Sequence, residues 1–245
     1  MTTAEEVVDA VRTHGAGIWP NFVDGQLLAD LQQQSSSLLA GKHALHFPKS
    51  TRVWDLYRHD PCYRALLTLP RIGQLIAELL GEQHILSDYS LNAVGPDQPN
   101  DDWHVDYPFN EMSTLIAGSV LGVQCVLTLD DFTVANGGTL FVPDSHNPPR
   151  RPDSCVELGH QVFEAQAGTL LVLAASTWHR SGRNTTSARR VAILLSFVER
   201  WIRPMVDPPE PGPWSSTEQL RLLLGMQRPP ETINGVVIES AGKQQ

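Results

Sequence analysis

The sequence has little cysteine, and the few cysteines that it has are widely separated. Its 245 residues include three, Cys62, Cys125 and Cys155, and no two of them form a C-x-x-C pair. An odd number of scattered cysteines argues against a disulfide framework and against a structural zinc site. We therefore expect all three thiols to be reduced.

Positive charge and long hydrophobic runs are also lacking. The formal net charge is −9, which gives no electrostatic footprint for nucleic acid or an anionic membrane. No apolar run approaches the length of a membrane span, and the first residues show no basic region leading into an apolar one. These absences favour a cytoplasmic protein whose partner is a small molecule.

The residues that are present can form a sizeable buried core. Hydrophobic residues make up 41% of the chain and charged residues 18%, as in ordinary globular proteins. Nothing marks a domain boundary, and all-β folds often reach this length as one unit. We expect a single domain over 1–245, with a helical buttress over about 1–81, a β core over about 82–203 and a C-terminal segment with a helix over about 204–245.

Helical patterns dominate the first third of the chain. Apolar residues at helical spacing predict helices over 4–14 and from Asp24 to about Leu39. The stretch DPCYRALLTLPRIGQLIAELLG predicts two helical pieces that meet at Pro70, with Gly81 as the final cap. A further capped helix is predicted from about Ser216.

After Gly81 the pattern changes to short β-type runs that are separated by Gly, Pro, Asn and Asp. The runs are HILSDYSLNAV, SVLGVQCVLTLDDF, GTLFVPDSH, GHQVFEAQ, GTLLVLAASTWHRSG and RRVAILLSFVER. Many short strands with turn signals between them predict a sandwich, a barrel or a jelly roll. The predicted fold class is thus mainly β with flanking helices.

The stretch NDDWHVDYPFN, residues 100–110, places His104 and Asp106 two positions apart. On a β-strand both side chains would point the same way, so an imidazole and a carboxylate could bind one first-row divalent metal. A surface pair or an internal hydrogen bond would give the same spacing. A third ligand is therefore needed to support a metal site.

His179 is the best candidate for that third ligand. It ends the apolar run GTLLVLAASTWH, which we expect to be one strand whose last residues project from a barrel mouth. His146 lies among proline and asparagine in VPDSHNPP, which predicts a turn whose imidazole caps backbone groups. We expect His160 to be exposed at the start of a strand.

Two adjacent arginines, Arg189 and Arg190, open the apolar strand VAILLSF. They would face opposite ways on a strand, so one should be solvated and the other buried. A buried guanidinium is costly unless it binds a carboxylate, which it can hold in bidentate fashion. Ser181 could add a hydroxyl to the same anion. Two surface charges before a strand are the alternative.

The motifs in chain order resemble the phytanoyl-CoA dioxygenase family of Fe(II)/2-oxoglutarate oxygenases. The resemblance is carried by His104-x-Asp106, LTLDDFTVANGGTLFVPDSH and GTLLVLAASTWHRSGRNTTSARRVAI. RVWDLYRHDPCYRALLTLPRIGQLIAELLG is also similar to a segment of many bacterial members, so the resemblance covers residues from about 50 to 198. It implies a double-stranded β-helix, a cupin-like jelly roll, that uses Fe(II), 2-oxoglutarate as a cosubstrate, and O2.

The resemblance also implies roles for particular residues. The family's iron ligands correspond to His104, Asp106 and His179. The family's arginine for the distal carboxylate of 2-oxoglutarate, eleven residues after the second histidine, corresponds to Arg190. Ser181 corresponds to the family's serine two residues after that histidine. An intact ligand carboxylate argues against the related halogenases, in which a small residue replaces it.

The sequence departs from the family pattern at three positions. Asp144 replaces the glycine of P-G-S-H, a turn position where aspartate tolerates a left-handed conformation. Val126 stands where many members have tryptophan, and Asp101 where bacterial relatives often have glutamine. The groups that bind the near carboxylate of 2-oxoglutarate are therefore open, with Asn92 and Gln124 as candidates.

Four further residues are candidates for the substrate pocket. Trp103, Tyr107 and Phe109 could form its walls, although aromatic residues next to a strand more often belong to the core. Arg52 could bind a substrate anion or form an ordinary surface salt bridge. We expect the loops over 41–51 and 205–215 to decide which substrate fits.

The main hypothesis is an Fe(II)- and 2-oxoglutarate-dependent dioxygenase that hydroxylates a small biosynthetic intermediate and releases succinate and CO2. Desaturation, epoxidation or ring closure would use the same centre. Two other classes stay open: a jelly-roll protein that binds a metal without turnover, and a zinc- or manganese-dependent isomerase or hydrolase. The sequence does not indicate the oligomeric state.

Overall fold

The computed structural model describes residues 2–152 and 159–226, together with the backbone of two short strands at 232–233 and 236–237. Cys62 and Cys125 are free and buried, as expected. Cys155 lies outside the described residues. Within the described part of the chain there is no helix with the length and apolar character that crossing a membrane requires.

The helices begin and end close to where the sequence predicts. Thr3 and Glu6 form a capping box, in which each side chain accepts a hydrogen bond from the backbone N–H of the other, and this fixes the start of the first helix. Thr217 caps the last one by accepting from the N–H of Leu220. The described helices are α1 (Ala4–His14), α2 (Gly25–Leu39), α3 (Pro61–Leu67), α4 (Pro70–Leu80) and α5 (Glu218–Leu223), with 3-10 turns at Leu56–Arg58 and Pro213–Ser215.

In the described part of the chain, the strands form two antiparallel sheets and a separate antiparallel pair. They are β1 (Ala16–Trp19), β2 (Leu45–His46), β3 (Thr51–Val53), β4 (Ile85–Val94), β5 (Gly122–Thr128), β6 (Thr139–Phe141), β7 (Gln161–Val162), β8 (Leu170–Ala174), β9 (His179–Ser181), β10 (Arg190–Val198), β11 (Thr232–Ile233) and β12 (Val236–Val237). The main sheet has the order β1-β8-β5-β10-β4-β3-β2, and the minor sheet has the order β7-β6-β9. This arrangement confirms the predicted jelly roll.

The central strands of the main sheet are buried on both faces. Along β5, Val123, Cys125 and Leu127 pack in the apolar cluster that includes the helices. Val126 points the opposite way and packs with Phe141 of the minor sheet. Because side chains alternate along a strand, burial on both faces produces a nearly unbroken apolar run. The few polar side chains on the inner face therefore lie between the sheets.

The first third of the chain also contributes strands, which the helical prediction did not include. β1 pairs with β8 at one edge of the main sheet, and β3 pairs with β4 near the other edge. These segments are only two to four residues long, too short to show a clear alternation of apolar and polar residues. The pairing of β3 sets Arg52 directly opposite Asn92.

Candidate metal centre

His104 and Asp106 do not lie on a β-strand, so that part of the prediction is wrong. His104 forms an isolated antiparallel bridge with His179, in which each backbone N–H donates to the other's carbonyl at 3.1 Å. The N–H of Asp106 donates to the carbonyl of Ala175 at 2.7 Å. The segment is thus fixed against the turn before β9, and this backbone pairing brings the two side chains towards His179.

His179 does not end one long strand, as the apolar run suggested. β8 stops at Ala174, a turn follows, and His179 is the first residue of β9 in the minor sheet. The hydroxyls of Ser176 and Thr177 donate to the backbone carbonyls of His146 and Gly15, respectively. Because these side chains bond to backbone outside the sheet, they favour a turn over continued strand.

The three predicted ligands converge at one point. Nε2 of His179 lies 3.2 Å from one carboxylate oxygen of Asp106, and Nε2 of His104 lies 3.9 Å from the other. The imidazole rings are 4.4 Å apart between centroids. One possible ligand atom from each residue lies within 4.8 Å of the other two, which is a spacing that one metal ion can span.

The backbone fixes which ring nitrogen of each histidine faces this point. Nδ1 of His104 is 2.8 Å from the carbonyl of Asp102, and Nδ1 of His179 is 2.9 Å from the carbonyl of Thr177. A carbonyl only accepts, so each Nδ1 must carry the proton, which leaves Nε2 with its lone pair in the neutral ring. Oδ2 of Asp106 is buried and accepts no hydrogen bond from any described residue. Three acceptors therefore face one another, and a cation between them would remove their mutual repulsion.

The ionisation of the three groups is coupled. Burial alone would raise the pKa of Asp106, but His179 and His104 hold it below its ordinary value. Burial would lower the pKa of His179, yet Asp106 raises it. Burial lowers the pKa of His104, and the neighbouring His179 lowers it further. Without a metal, one proton shared between His179 and Asp106 can take the place of the cation.

A small cavity of about 80 Å³ adjoins the three side chains. Arg190, the first residue of β10, lies in its wall and is only 1% exposed. Its guanidinium stacks on the ring of Phe132 at 4.2 Å, and its Nε and Nη2 have no hydrogen-bond partner among the described residues. Burial lowers the pKa of Arg190 to about 10, against the influence of Asp130. Arg189 is exposed, so the two neighbours face opposite ways.

The other predicted cosubstrate residues lie in the same wall. Ser181 of β9, Asn92 of β4 and Gln124 of β5 all line the small cavity. Oδ1 of Asn92 is buried and accepts no hydrogen bond from a described residue. Thr139, which pairs with Ser181 across the minor sheet, also lines the cavity and was not predicted. Val126 lies there too, where a tryptophan would fill much of the space.

A larger cavity of about 360 Å³ shares Asp106 with the small one. Tyr107 and Arg52 line it, and Arg52 lines the small cavity as well. Neither Trp103 nor Phe109 lines either cavity in the described part of the chain. Phe109 is buried in an apolar cluster, and Trp103 packs against that cluster and stacks on the Arg180 guanidinium at 4.4 Å. These two aromatic residues therefore lie in or against the core.

Sequence reasoning missed several residues of the larger cavity. Asp88 lies in its wall, on the same inner face of β4 as Ser90 and Asn92. Polar residues at every second position of ILSDYSLNAV carry this signal, because alternate residues of a strand share a face. Phe47 and Met205 also line the cavity, from the two loops that the sequence analysis named as specificity loops.

The two remaining histidine predictions agree with the structure. His160 is exposed just before β7. His146 lies in a turn, and its Nε2 donates to the carbonyl of Arg12 in the last turn of α1 at 3.1 Å. Asp144, which replaces the family glycine, has a φ of 62°, the left-handed conformation expected of that position.

Two facing antiparallel sheets with a three-ligand site between them define a double-stranded β-helix. The sequence profile described as phytanoyl-CoA dioxygenase (PhyH) matches residues 3–192. The chain belongs to this family, which makes it an oxidoreductase of the dioxygenase type.

The chain is also similar to individual proteins and to solved structures. Uncharacterized protein Rv1501 of Mycobacterium tuberculosis is 26% identical over 221 residues, covering 84% of this chain and 79% of that protein. Dioxygenase af480 of Aspergillus fumigatus is 30% identical over 168 residues, covering 65% of this chain and 52% of that protein. Among solved structures, the epimerase SnoN in complex with Fe3+, alpha ketoglutarate and nogalamycin RO has a TM-score of 0.68 at 20% identity, covering 80% of this chain and 84% of that one. This likeness supports the fold.

Proposed function

We propose that the protein is an Fe(II)- and 2-oxoglutarate-dependent dioxygenase that oxidises a small organic molecule and releases succinate and CO2. One observation carries the proposal: three acceptor atoms converge beside a buried guanidinium that has unused donors. A simple metal-binding protein has no need for a carboxylate-binding arginine next to its metal. A dioxygenase of this type needs both groups, one for the metal and one for the cosubstrate.

His104, Asp106 and His179 would hold the Fe(II). Two neutral imidazoles and one carboxylate form the facial set of ligands that suits non-haem Fe(II) and leaves coordination positions for other ligands. The hydrogen bonds from each Nδ1 to a backbone carbonyl orient both rings for this task. When bound, the iron and 2-oxoglutarate supply the oxidising chemistry by coupling O2 activation to decarboxylation.

Arg190 would bind the distal carboxylate of 2-oxoglutarate. Its free Nε and Nη2 can donate two parallel hydrogen bonds, and Ser181 can add a hydroxyl from the same cavity wall. Asn92 and Gln124 are candidates for the near carboxylate. The bound dianion would offset the cost of burying Arg190, a cost that the Phe132 ring and the nearby Asp130 reduce in part in the protein alone.

The substrate would enter the larger cavity, whose volume suits a small molecule. We propose a biosynthetic intermediate, a view supported by SnoN, which is an epimerase crystallised with nogalamycin RO. Arg52, in the wall of both cavities, is a candidate for an anionic group. Hydroxylation is the expected outcome, while desaturation, epoxidation, ring closure and epimerisation are alternatives that product analysis distinguishes.

Anaerobic titration with Fe(II) and 2-oxoglutarate tests the proposal. A weak visible charge-transfer band is expected only when both are present, and it should weaken in Arg190→Ala. Arg189→Ala is the matched control, since it removes the exposed neighbour and should leave the band unchanged. A folded protein without the band would overturn the proposal and favour a metal binder or a zinc- or manganese-dependent isomerase or hydrolase.

A further inference from the structure

The larger cavity has a polar floor formed by a row across three strands. Asp88 of β4 lies opposite Ser196 of β10, and Ser196 lies opposite Gln124 of β5. All three side chains line the cavity. A carboxylate, a hydroxyl and an amide thus lie side by side on the inner face of the main sheet. Such a row offers several acceptors to a molecule above it.

Asp88 is not neutralised by an ion pair in the described part of the chain. Its Oδ2 accepts a hydrogen bond from Ser90 at 2.8 Å, and Arg52 reaches only Ser90, at a long 3.5 Å. Burial raises the pKa of Asp88, although the Ser90 hydrogen bond and the charge of nearby Arg52 act to lower it, because these interactions do not fully replace water around the carboxylate. A cation next to Asp88 would complete its solvation.

Arg52 has access to both cavities, unlike Asp88. Arg52 also lines the small cavity, where the proposed 2-oxoglutarate would bring two carboxylates near its guanidinium. Asp88 does not line the small cavity as the structure describes it. Once the metal and the cosubstrate are bound, the carboxylate of Asp106 is committed to the metal. Asp88 is then the anionic group of the larger cavity that is available to the substrate.

The rim of the larger cavity is aromatic and apolar. Phe47 and Trp54 line it and contact each other edge to face, with ring centroids 5.6 Å apart. Phe47 is 49% exposed, and Met205, which also lines the cavity, is 58% exposed. An occupant with an apolar body would cover these side chains, and aromatic faces also attract cations.

We infer that the larger cavity selects a substrate with a protonated amine on an apolar body, with Asp88 binding the amine and Phe47, Trp54 and Met205 contacting the body. The inference rests on the proposed function in naming the occupant as the substrate and in committing Asp106 to the metal. The cavity itself is built from protein side chains alone. Asp88 is therefore a specificity-determining residue that acts independently of the metal ligands.

Two small probes that differ in one group test this inference. Benzylamine, which is protonated at neutral pH, and benzyl alcohol can be titrated, without oxygen, into protein that holds saturating Mn(II) and 2-oxoglutarate. The metal then engages Asp106, which also lines the cavity, and calorimetry follows the binding of each probe. We expect benzylamine to bind about tenfold more tightly, as for a hydrogen bond between charged groups. In Asp88→Asn the two affinities should agree within about twofold. Asp9→Asn, on the exposed face of α1, should keep the preference.

Three results would overturn the inference: equal affinities in the wild type, no binding of either probe, or an amine preference that survives in Asp88→Asn. Near-ultraviolet circular dichroism verifies the fold of the variant, and Asp88→Ser is a second way to remove the charge. The comparison of the two probes in the wild type needs no variant. The assay measures binding without turnover, and the charge-transfer titration judges the proposed dioxygenase separately, so the two failures can be distinguished.

Discussion

The two cavities that share Asp106 in their walls are built differently. The smaller one, about 80 Å³, is lined largely by inward-facing residues of β4, β5, β9 and β10, among them the buried Arg190. The larger one, about 360 Å³, combines a sheet floor with Phe47 and Met205, two exposed side chains from loops. One cavity is fixed by sheet register, and the other is completed by segments outside the sheet.

This difference separates the chemistry from its specificity. Strand register holds neighbouring side chains at set spacings, which suits groups that must always meet the same ion and cosubstrate. Loops change without disturbing the sheet, so they can vary the substrate while the chemistry is kept. The loop of Met205 is nevertheless anchored, because its N–H donates to the Ser87 hydroxyl at 3.0 Å beside β4. This specificity loop therefore rests on the same strand that carries Asp88.

The largest expected effect comes from Asp106, which lines both cavities. Asp106→Ala should weaken Fe(II) binding by more than about a hundredfold, because even the loss of an outer partner of a metal ligand costs about 10–100-fold. Anaerobic calorimetry measures this affinity. His160→Ala, which removes an exposed histidine, is the control. Wild-type affinity in Asp106→Ala would show that the metal binds elsewhere.

The small cavity should show a conflict between stability and binding. Arg190→Met removes an unpaired buried charge and keeps an apolar chain against Phe132, so we expect the metal-free protein to melt at a higher temperature. The same change should weaken 2-oxoglutarate binding by about 10–100-fold, because two charge-assisted hydrogen bonds are lost. Thermal melts with and without metal and 2-oxoglutarate measure both effects, with Arg189→Met as the control.

A lower melting temperature in Arg190→Met would mean that the guanidinium has a partner in the protein. Unchanged binding of 2-oxoglutarate would mean that the cosubstrate carboxylate is held by another residue. Either result would remove the distinction between a cavity made for a fixed dianion and one made for a variable substrate.

A substitution in the rim of the larger cavity should weaken binding there and leave binding in the smaller cavity unchanged. Phe47→Ala should leave the charge-transfer titration unchanged and weaken benzylamine binding by about fivefold, the worth of one aromatic contact. Ile18→Ala is the control, since Ile18 is an exposed apolar residue on β1, at the opposite edge of the main sheet from β2. A change in 2-oxoglutarate affinity in Phe47→Ala would show that the two cavities are coupled.

The sequence predicted the small cavity better than the large one. His104, Asp106, His179 and Arg190 follow from motif order within the family resemblance, and the six β-type runs after Gly81 all contain strands. The spacing argument brought the first two ligands together although its premise, a strand, was wrong. A β-bridge to His179 gives the same result, because backbone pairing at one residue is enough to orient the segment.

The rest could not be predicted because it depends on contacts between distant segments. The carbonyls that orient the two imidazoles belong to Asp102 and Thr177, and any residue type offers a carbonyl. The rim residues Phe47 and Met205 come from loops more than 150 residues apart, and only the folded chain shows that they meet at one cavity. Asp88 is the exception, because the alternation within ILSDYSLNAV was visible in the sequence.

The smallest expected effect concerns the pH dependence of the metal-free protein. Asp106 raises the pKa of His179 above its ordinary 6.5, so the stabilisation from His179 is fully present below about pH 6.5 and is lost as the pH rises through the raised value. The two histidines lower the pKa of Asp106 below its ordinary 3.8, so its contribution is present above about pH 3.8 and is lost as the pH falls through the lowered value. The pair therefore stabilises the protein most between these limits.

We expect the melting temperature of the metal-free protein to fall by a few degrees at most as the pH rises from that window into the alkaline range. Asp106→Asn should flatten this part of the profile, whereas Asp9→Asn should keep it. With saturating Mn(II) the same slope should disappear, because the ion then occupies the place of the proton between His179 and Asp106 and binds more tightly once the proton has left. An identical profile in Asp106→Asn would mean that the proton is held by other groups. That result would contradict the conclusion that His104, Asp106 and His179 are arranged around a single cation.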